Sequence, residues 1–281
     1  MIAGMKNILT IDVEEWYHAE YVKDGVHRDK EDFALGKVTE AMHLLQDHGV
    51  DATFFVVGEL AERYPDLTNR IRERGHEVAF HGFYHTPLWK AAAETFKLEV
   101  NRFNAIIGHS CRGFRAPSFS LSNETRWVLE LLKETGFQYD SSIFPVETPL
   151  YGVRGAPLKP YKPSHDNIAV EDESAKLWEF PLLVYPLTCL RLPVAGGFYL
   201  RFLPVSVIMK AVSRANKHGY PAVLYFHTWE LDARTPRVKL NPYRSFVTYH
   251  NLEKAKAKLQ RILSCFEFTS IKNYMEEMGL A

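Results

Sequence analysis

An apolar run that ends in acid opens the chain: Ile8-Leu9-Thr10-Ile11 leads straight into Asp12-Val13-Glu14-Glu15. Behind it one pattern recurs, an amphipathic stretch, then a glycine, then a short apolar run. It reads as a helix closed by glycine and followed by a strand. The pattern covers Lys37 to His48, Gly49 and Ala52 to Val57; Leu60 to Arg74, Gly75 and Glu77 to His81; and Ala92 to Ile107, Gly108 and Cys111 to Arg115. It returns in Asn123 to Thr135, with Ser122 as N-cap, Gly136 and Phe137 to Asp140. Val205 to His218, Gly219 and Ala222 to His227 repeat it, and Leu252 to Ser264 leads into Phe266 to Thr269. Strands that alternate with helices and are apolar along their length imply a mainly parallel sheet buried on both faces. About seven such units predict an α/β fold, a distorted (β/α)7-type barrel, in a single domain over residues 1–281.

The stretch from Ser141 to Leu203 departs from the pattern. It is rich in Pro, Gly and Tyr, and so long an irregular segment inside a compact domain predicts an excursion that walls the active site. Within it, Leu177 to Leu182 reads as one more barrel strand.

Composition narrows the function. With 281 residues, 46% hydrophobic and 24% charged, the chain can bury a large core. Lysine plus arginine equals aspartate plus glutamate at 34 each, so no overall field favours nucleic acid or an anionic membrane. The start, at Met1 or Met5, lacks the basic and apolar regions of a secretory signal, and no stretch approaches the roughly 18 to 20 apolar residues of a membrane span. A cytoplasmic protein is the expectation. The three cysteines, Cys111, Cys189 and Cys265, have no paired spacing and read as buried small hydrophobes.

In parallel α/β barrels the reacting groups sit at the C-terminal ends of the strands. Those ends offer Asp12 and Glu14, His81, Arg115, Asp140 and His227. Two histidines and one carboxylate leave positions open for water and substrate, as in a catalytic zinc site. His81 and His85 can meet one ion if their loop coils into a helical turn. Alternation along the strand puts Glu14 on the side of Asp12, which makes Glu14 the expected third ligand. Glu15 takes that place if the strand stops at Val13.

Metal-assisted hydrolysis also needs a base for the water and an acid for the leaving amine. Asp12 suits the base and His227 the acid, with Arg115 orienting the carboxylate and lowering its pKa. After Pro117, which cannot donate, the backbone N–H of Ser118 is free to face a developing oxyanion. Trp16, Tyr17, Trp89, Trp178, Phe198, Tyr199 and Trp229 could stack on sugar faces, although aromatics are more often core, and Trp16 and Trp229, which adjoin these motifs, are the expected platforms. His18, His27 and Asp232 lie close in sequence to the same groups.

Taken in order, Thr10 to His18, Ala52 to Gly58, His81 to His85, Arg115-Ala116-Pro117 and Phe226-His227-Thr228-Trp229-Glu230 resemble the motifs of NodB-type polysaccharide deacetylases, carbohydrate esterase family 4. Asp12-Val13-Glu14-Glu15-Trp16 and Gly196-Gly197-Phe198-Tyr199-Leu200-Arg201 resemble the branch of bacterial exopolysaccharide and exosortase loci. The resemblance implies a divalent metal, usually zinc, and hydrolysis of N-acetyl groups on an amino sugar of a nascent or lipid-linked polysaccharide, with possible peripheral association with the synthesis machinery. It makes Asp12 the base, His81 and His85 metal ligands, Arg115 the residue tuning the base, and His227 the acid. The family's usual side-by-side aspartates are replaced by Asp12-Val13-Glu14, a spacing similar to that of cyclic amide hydrolases. A cyclic amide or ureide is therefore the second substrate class, and a catalytically silent carbohydrate-binding protein the third reading.

Overall fold

A computed structural model describes residues 4–23, 32–188 and 190–280. In chain order the elements are β1 (Asn7–Val13), α1 (Ala34–Asp47), β2 (Thr53–Val56), α2 (Gly58–Arg63), α3 (Leu67–Glu73), β3 (Glu77–Phe80), α4 (Ala93–Ile107), β4 (Gly113–Phe114), α5 (Trp127–Glu134) and β5 (Tyr139–Asp140). They continue with β6 (Trp178–Glu179), β7 (Val184–Pro186), β8 (Arg191–Pro193), α6 (Phe198–Phe202), α7 (Val205–Lys217), β9 (Val223–His227), α8 (Pro242–Tyr249), α9 (Leu252–Leu263), β10 (Phe268–Thr269) and α10 (Ile271–Met278).

The main sheet runs β9-β1-β2-β3-β4-β5-β6, every pair parallel, with β10 pairing Asn7 and Ile8 at the start of β1. All of β1 is buried, which is why apolar residues fall on both of its faces, and its polar residues Asn7, Thr10 and Asp12 are each hydrogen-bonded. α7 shows how the helices cover the sheet: Ile208, Ala211, Val212 and Ala215 recur at helical spacing and are buried. The sheet curls into a half-barrel. Between β6 and β9 the chain is joined by Leu183 N–H donating to Val223 O at 3.0 Å and by a parallel bridge between Gly196 and Tyr225. The excursion supplies these links, together with β6 and the separate antiparallel hairpin β7–β8.

Several expectations need correction. The stretch Leu60 to Arg74 is two helices, because Pro65 cannot continue a helical hydrogen-bond ladder and the chain breaks between α2 and α3. Ser122 caps no helix: α5 starts at Trp127, and Ser122 Oγ instead accepts from Glu124 N–H at 3.2 Å to close a turn. Cys111 is buried, but Cys265 is partly exposed, and both are free thiols. Cys189 and His27 lie outside the described residues.

The glycine pair before α6 is dictated by close approach. A Cβ at Gly196 would stand 1.7 Å from the carbonyl oxygen of Tyr225, and Gly197 holds φ +55° with Tyr225 Oη 2.6 Å from its Cβ position. These contacts set α6 against β9. Gly196→Ala must push β9 and α6 apart, and we expect a loss of about 3 kcal/mol or more in urea unfolding. A loss below about 1 kcal/mol would mean that the two elements yield freely.

Candidate active site

The strand ends deliver the charged groups into one cavity lined by Asp12, Glu14, His81, His85, Ser118 and His227. Glu14 Oε2 lies 2.6 Å from His85 Nε2 and 3.8 Å from His81 Nε2. One ligand atom from each of the three lies within 4.8 Å of the others, and all three residues are buried. His81 Nδ1 is engaged by the carbonyl of Arg115 at 2.9 Å, which leaves Nε2 as its ligating atom. Burial, opposed only in part by Asp12, lowers the His81 pKa to about 4, so the ring is neutral and able to ligate. Burial would raise the Glu14 carboxyl, but His85 and His227 hold it well below the usual range. This donor set, two neutral-capable imidazoles and an ionised carboxylate, fits a divalent metal.

The histidines do not converge through a helical turn. Gly82 at φ +72° and His85 at φ +52° fold the segment back, and Pro117 packs on Gly82 so closely that a Cβ there would meet its Cγ at 2.9 Å. A left-handed histidine is costly and is held by its surroundings. His18 is one of these, stacked on His85 at 5.5 Å and bonded through Nε2 to Glu59 Oε1 at 2.8 Å. Glu15 is no ligand. Although β1 stops at Val13, the Glu15 carboxylate accepts from Phe33 N–H at 2.7 Å, while Glu14 is held in the cavity by the Trp229 indole N–H.

Asp12 is held from one side only. Arg115, fully buried, donates through Nη1 to Asp12 Oδ1 at 2.7 Å and to Thr10 Oγ1 at 2.8 Å, and through Nε and Nη2 to the carbonyl and hydroxyl of Ser141 at 2.8 and 2.9 Å. Asp12 Oδ2 stands 3.9 Å from His227 Nε2, which is itself 3.7 Å from Glu14 Oε1. These separations are too long for hydrogen bonds and, among the described residues, leave Oδ2 and Nε2 open toward the cavity.

His227 is fixed from behind by two residues that end motifs of the family resemblance but to which the sequence reading assigns no role. Its Nδ1 meets Glu230 Oε2 at 2.9 Å, and Glu230 Oε1 accepts from Arg201 Nε at 2.7 Å. Arg201, also buried, spends its other donors on the carbonyls of His250 and Val247. Burial opposes protonation of His227, but the carboxylates of Glu14 and Glu230 outweigh it and push the pKa up to about 9. Glu230 in turn is held at about 2: burial would raise it, and His227 and Arg201 overcome that. The sequence signals for this pair are their places at the ends of the motifs Phe226 to Glu230 and Gly196 to Arg201.

The proposed substrate residues separate. Ser118 lines the cavity in a left-handed conformation, φ +56°. Pro117 lies under Gly82 rather than in the lining. Trp16 is no platform: it is buried in a satellite cluster with Tyr17, Val22, Trp229 and Tyr249. Trp229 reaches the cavity, but one ring face stacks on His227 at 5.3 Å and its Nε1 donates to Glu14 Oε1 at 3.1 Å. It positions Glu14. Asp232 stands apart, paired with Lys37 and Arg234.

A second carboxyl pair backs Arg115. Ser142 Oγ accepts from Ala116 N–H and donates to Asp140 Oδ1 at 2.6 Å, and Asp140 meets Glu179. Burial, then Asp140, pushes the Glu179 carboxyl well above its ordinary value. Glu179 Oε1 accepts from Ile143 N–H, while no donor reaches Oε2 among the described residues. Burial and the neighbouring Asp140 therefore favour the protonated form of the Glu179 carboxyl, the form that can donate where two acceptors are close. An acid whose pKa is raised on folding contributes stability below its unfolded pKa and loses it as pH rises toward the folded value. Glu179→Gln supplies the donor without the proton. We expect its Tm to exceed wild type by about 2–4 °C at pH 8, the size of one hydrogen bond, with the gap gone at pH 4. Melts that differ equally at both pH values would remove the shared proton.

Residues 31–139 match the family described as polysaccharide deacetylase, and residues 141–276 match one described only as a domain of unknown function, DUF3473. Over that first segment the chain belongs to the NodB-type polysaccharide deacetylase family. A peptidoglycan-N-acetylglucosamine deacetylase of Bacillus cereus is 31% identical over 91 residues, 31% of this chain. The chain spans a third of that relative's length. Among solved structures, a candidate polysaccharide deacetylase from Mycobacterium smegmatis superposes with a TM-score of 0.58 at 18% identity, over 99% of this chain and 92% of that one. The Puue allantoinase superposes with a TM-score of 0.54 at 15% identity, over 96% of this chain and 88% of that one. Both likenesses concern the fold. The half-barrel runs unbroken from the deacetylase-family segment into the second matched segment, through β5 and β6.

Proposed function

We propose that this chain, acting as one catalytic domain, is a divalent-metal-dependent hydrolase that removes N-acetyl groups from an amino sugar of a polysaccharide or lipid-linked saccharide. The observation that carries the reading is convergence: Asp12 and Glu14 from the end of β1, His81 and His85 from the loop after β3, and His227 from the end of β9 face one cavity. Glu14, His81 and His85 would hold the metal, with zinc favoured by the donor set. When bound, it supplies Lewis-acid polarisation of the acetamide carbonyl and a more acidic water.

The chain's own residues do the rest. Asp12 Oδ2 takes a proton from the water that attacks the carbonyl carbon, while Oδ1 stays fixed on Arg115. The backbone N–H of Ser118 faces the oxyanion. His227 Nε2 delivers its proton to the amide nitrogen as the carbon–nitrogen bond breaks, and Glu230 keeps Nδ1 engaged. Acetate and a free amino sugar leave.

The test is acetate release by zinc-reconstituted protein from N-acetylglucosamine oligomers, with allantoin hydrolysis run beside it. Acetate release supports the deacetylase. Ureide hydrolysis without acetate would replace it with the cyclic-amide reading, which the Asp12-Val13-Glu14 spacing favours. A metal-loaded protein that turns over neither class would leave the carbohydrate-binding role.

A further inference from the structure

Beside its ionisable groups the cavity is lined by Phe198 of α6 and Val247 of α8. The same two helices carry Phe202 and Phe246, which are 49% and 44% exposed. Phe198 stacks on Phe202 at 5.2 Å with 15° between the planes, and Phe246 packs on both, at 5.7 and 6.0 Å. The three rings thus form one apolar ledge that begins in the cavity and ends in solvent. Clustered exposed apolar surface of this kind marks a binding surface.

The chemistry of the ledge selects its occupant. A phenylalanine ring has no hydrogen-bonding atom, so a hydroxyl-rich sugar would find stacking there but no polar partner. The polar ring nearest the ledge, His250, packs on Phe246 at 4.6 Å and has its Nε2 engaged by Asn251 at 2.8 Å. A hydrocarbon chain needs no such partner. Because the ledge is continuous with the cavity, a chain lying on it and a group reacting beside Asp12 belong to one molecule. We propose that the ledge of Phe198, Phe202 and Phe246 binds the hydrocarbon chain of an amphiphilic substrate, an N-acetylated saccharide carried on a lipid. This rests on the deacetylase reading for the saccharide end only.

The experiment compares dodecyl with methyl N-acetyl-β-D-glucosaminide, the dodecyl compound kept below its aggregation concentration, on wild type and on Phe202→Ser with Phe246→Ser. The expected result is a KM at least tenfold lower for the dodecyl glycoside at similar kcat, a difference that burial of about two methylenes supplies. The double variant should lose that advantage and leave the methyl glycoside unaffected. Equal KM values for the two glycosides in wild type would overturn the proposal. Calorimetric binding of dodecyl β-D-glucoside, which has no acetamide, reads the ledge even if no acetate is released. Binding lost in the double variant supports the ledge, and no binding by wild type overturns it. Two further results also overturn it: sedimentation with phosphatidylcholine vesicles without binding of the monomeric glycosides would make the rings a membrane-docking surface, and a dimer dissolved by the double variant would make them a self-interface.

Discussion

Alanine at both His81 and His85 is expected to take bound zinc from about one ion per chain to none, and to abolish acetate release. The two Nε2 atoms and Glu14 Oε2 are the set that can surround one ion. Catalytic zinc sites keep three protein ligands, and a lone buried carboxylate does not hold the ion in competition with water. Elemental analysis of the two proteins reads this directly. Unfolding gives a second reading, because an ion that binds only the folded state stabilises it by about 2.7 kcal/mol when present at a hundred times its Kd. Zinc should raise the Tm of wild type and leave the double variant unmoved. The variant should still fold, since Glu14 keeps its bond from Trp229. A double variant that retains one zinc would place the metal elsewhere and separate the ion from the proposed chemistry.

How much of this was legible in the sequence depends on how far each residue's environment is local. Strand ends are local: buried apolar runs place Asp12, His81, Arg115 and His227 at one rim of the sheet. The choice between Glu14 and Glu15 does not follow from alternation alone, because β1 stops at Val13 and partners from elsewhere, Trp229 for Glu14 and Phe33 for Glu15, hold the two carboxylates apart. The path between His81 and His85 is not local either, because it is set by left-handed backbone at Gly82 and His85 and by Pro117 packed from another loop. Trp16 sits beside the acidic motif in sequence, yet its ring turns into a satellite core made by Trp229, Tyr249 and Leu252. Arg201 was out of reach for a similar reason. It lies in the irregular excursion, and its partner Glu230 comes from the turn after β9, so their pairing exists only once the glycines at 196 and 197 have brought α6 against that strand.

Arg115 offers the largest expected effect on the fold. Its guanidinium has no exposed surface, makes bonds in several directions at once, and lies 4.2 Å from the Phe55 ring. Arg115→Ala strands a buried carboxylate at Asp12, which costs about 3–5 kcal/mol. It also frees the proposed base, and acetate release should fall by about 10²-fold or more. Lysine should not rescue activity, since one ammonium cannot reproduce the planar fork that reaches Asp12, Thr10 and Ser141 together. The two sources of instability can be separated by a double-mutant cycle in urea. If the stranded charge dominates, Asp12→Asn added to Arg115→Ala should recover part of the loss, although activity stays absent. Were the double variant as unstable as Arg115→Ala alone, the cost would lie in the lost bonds to Ser141 and Thr10, and Arg115 would serve chiefly to tie β1 to the segment after β5.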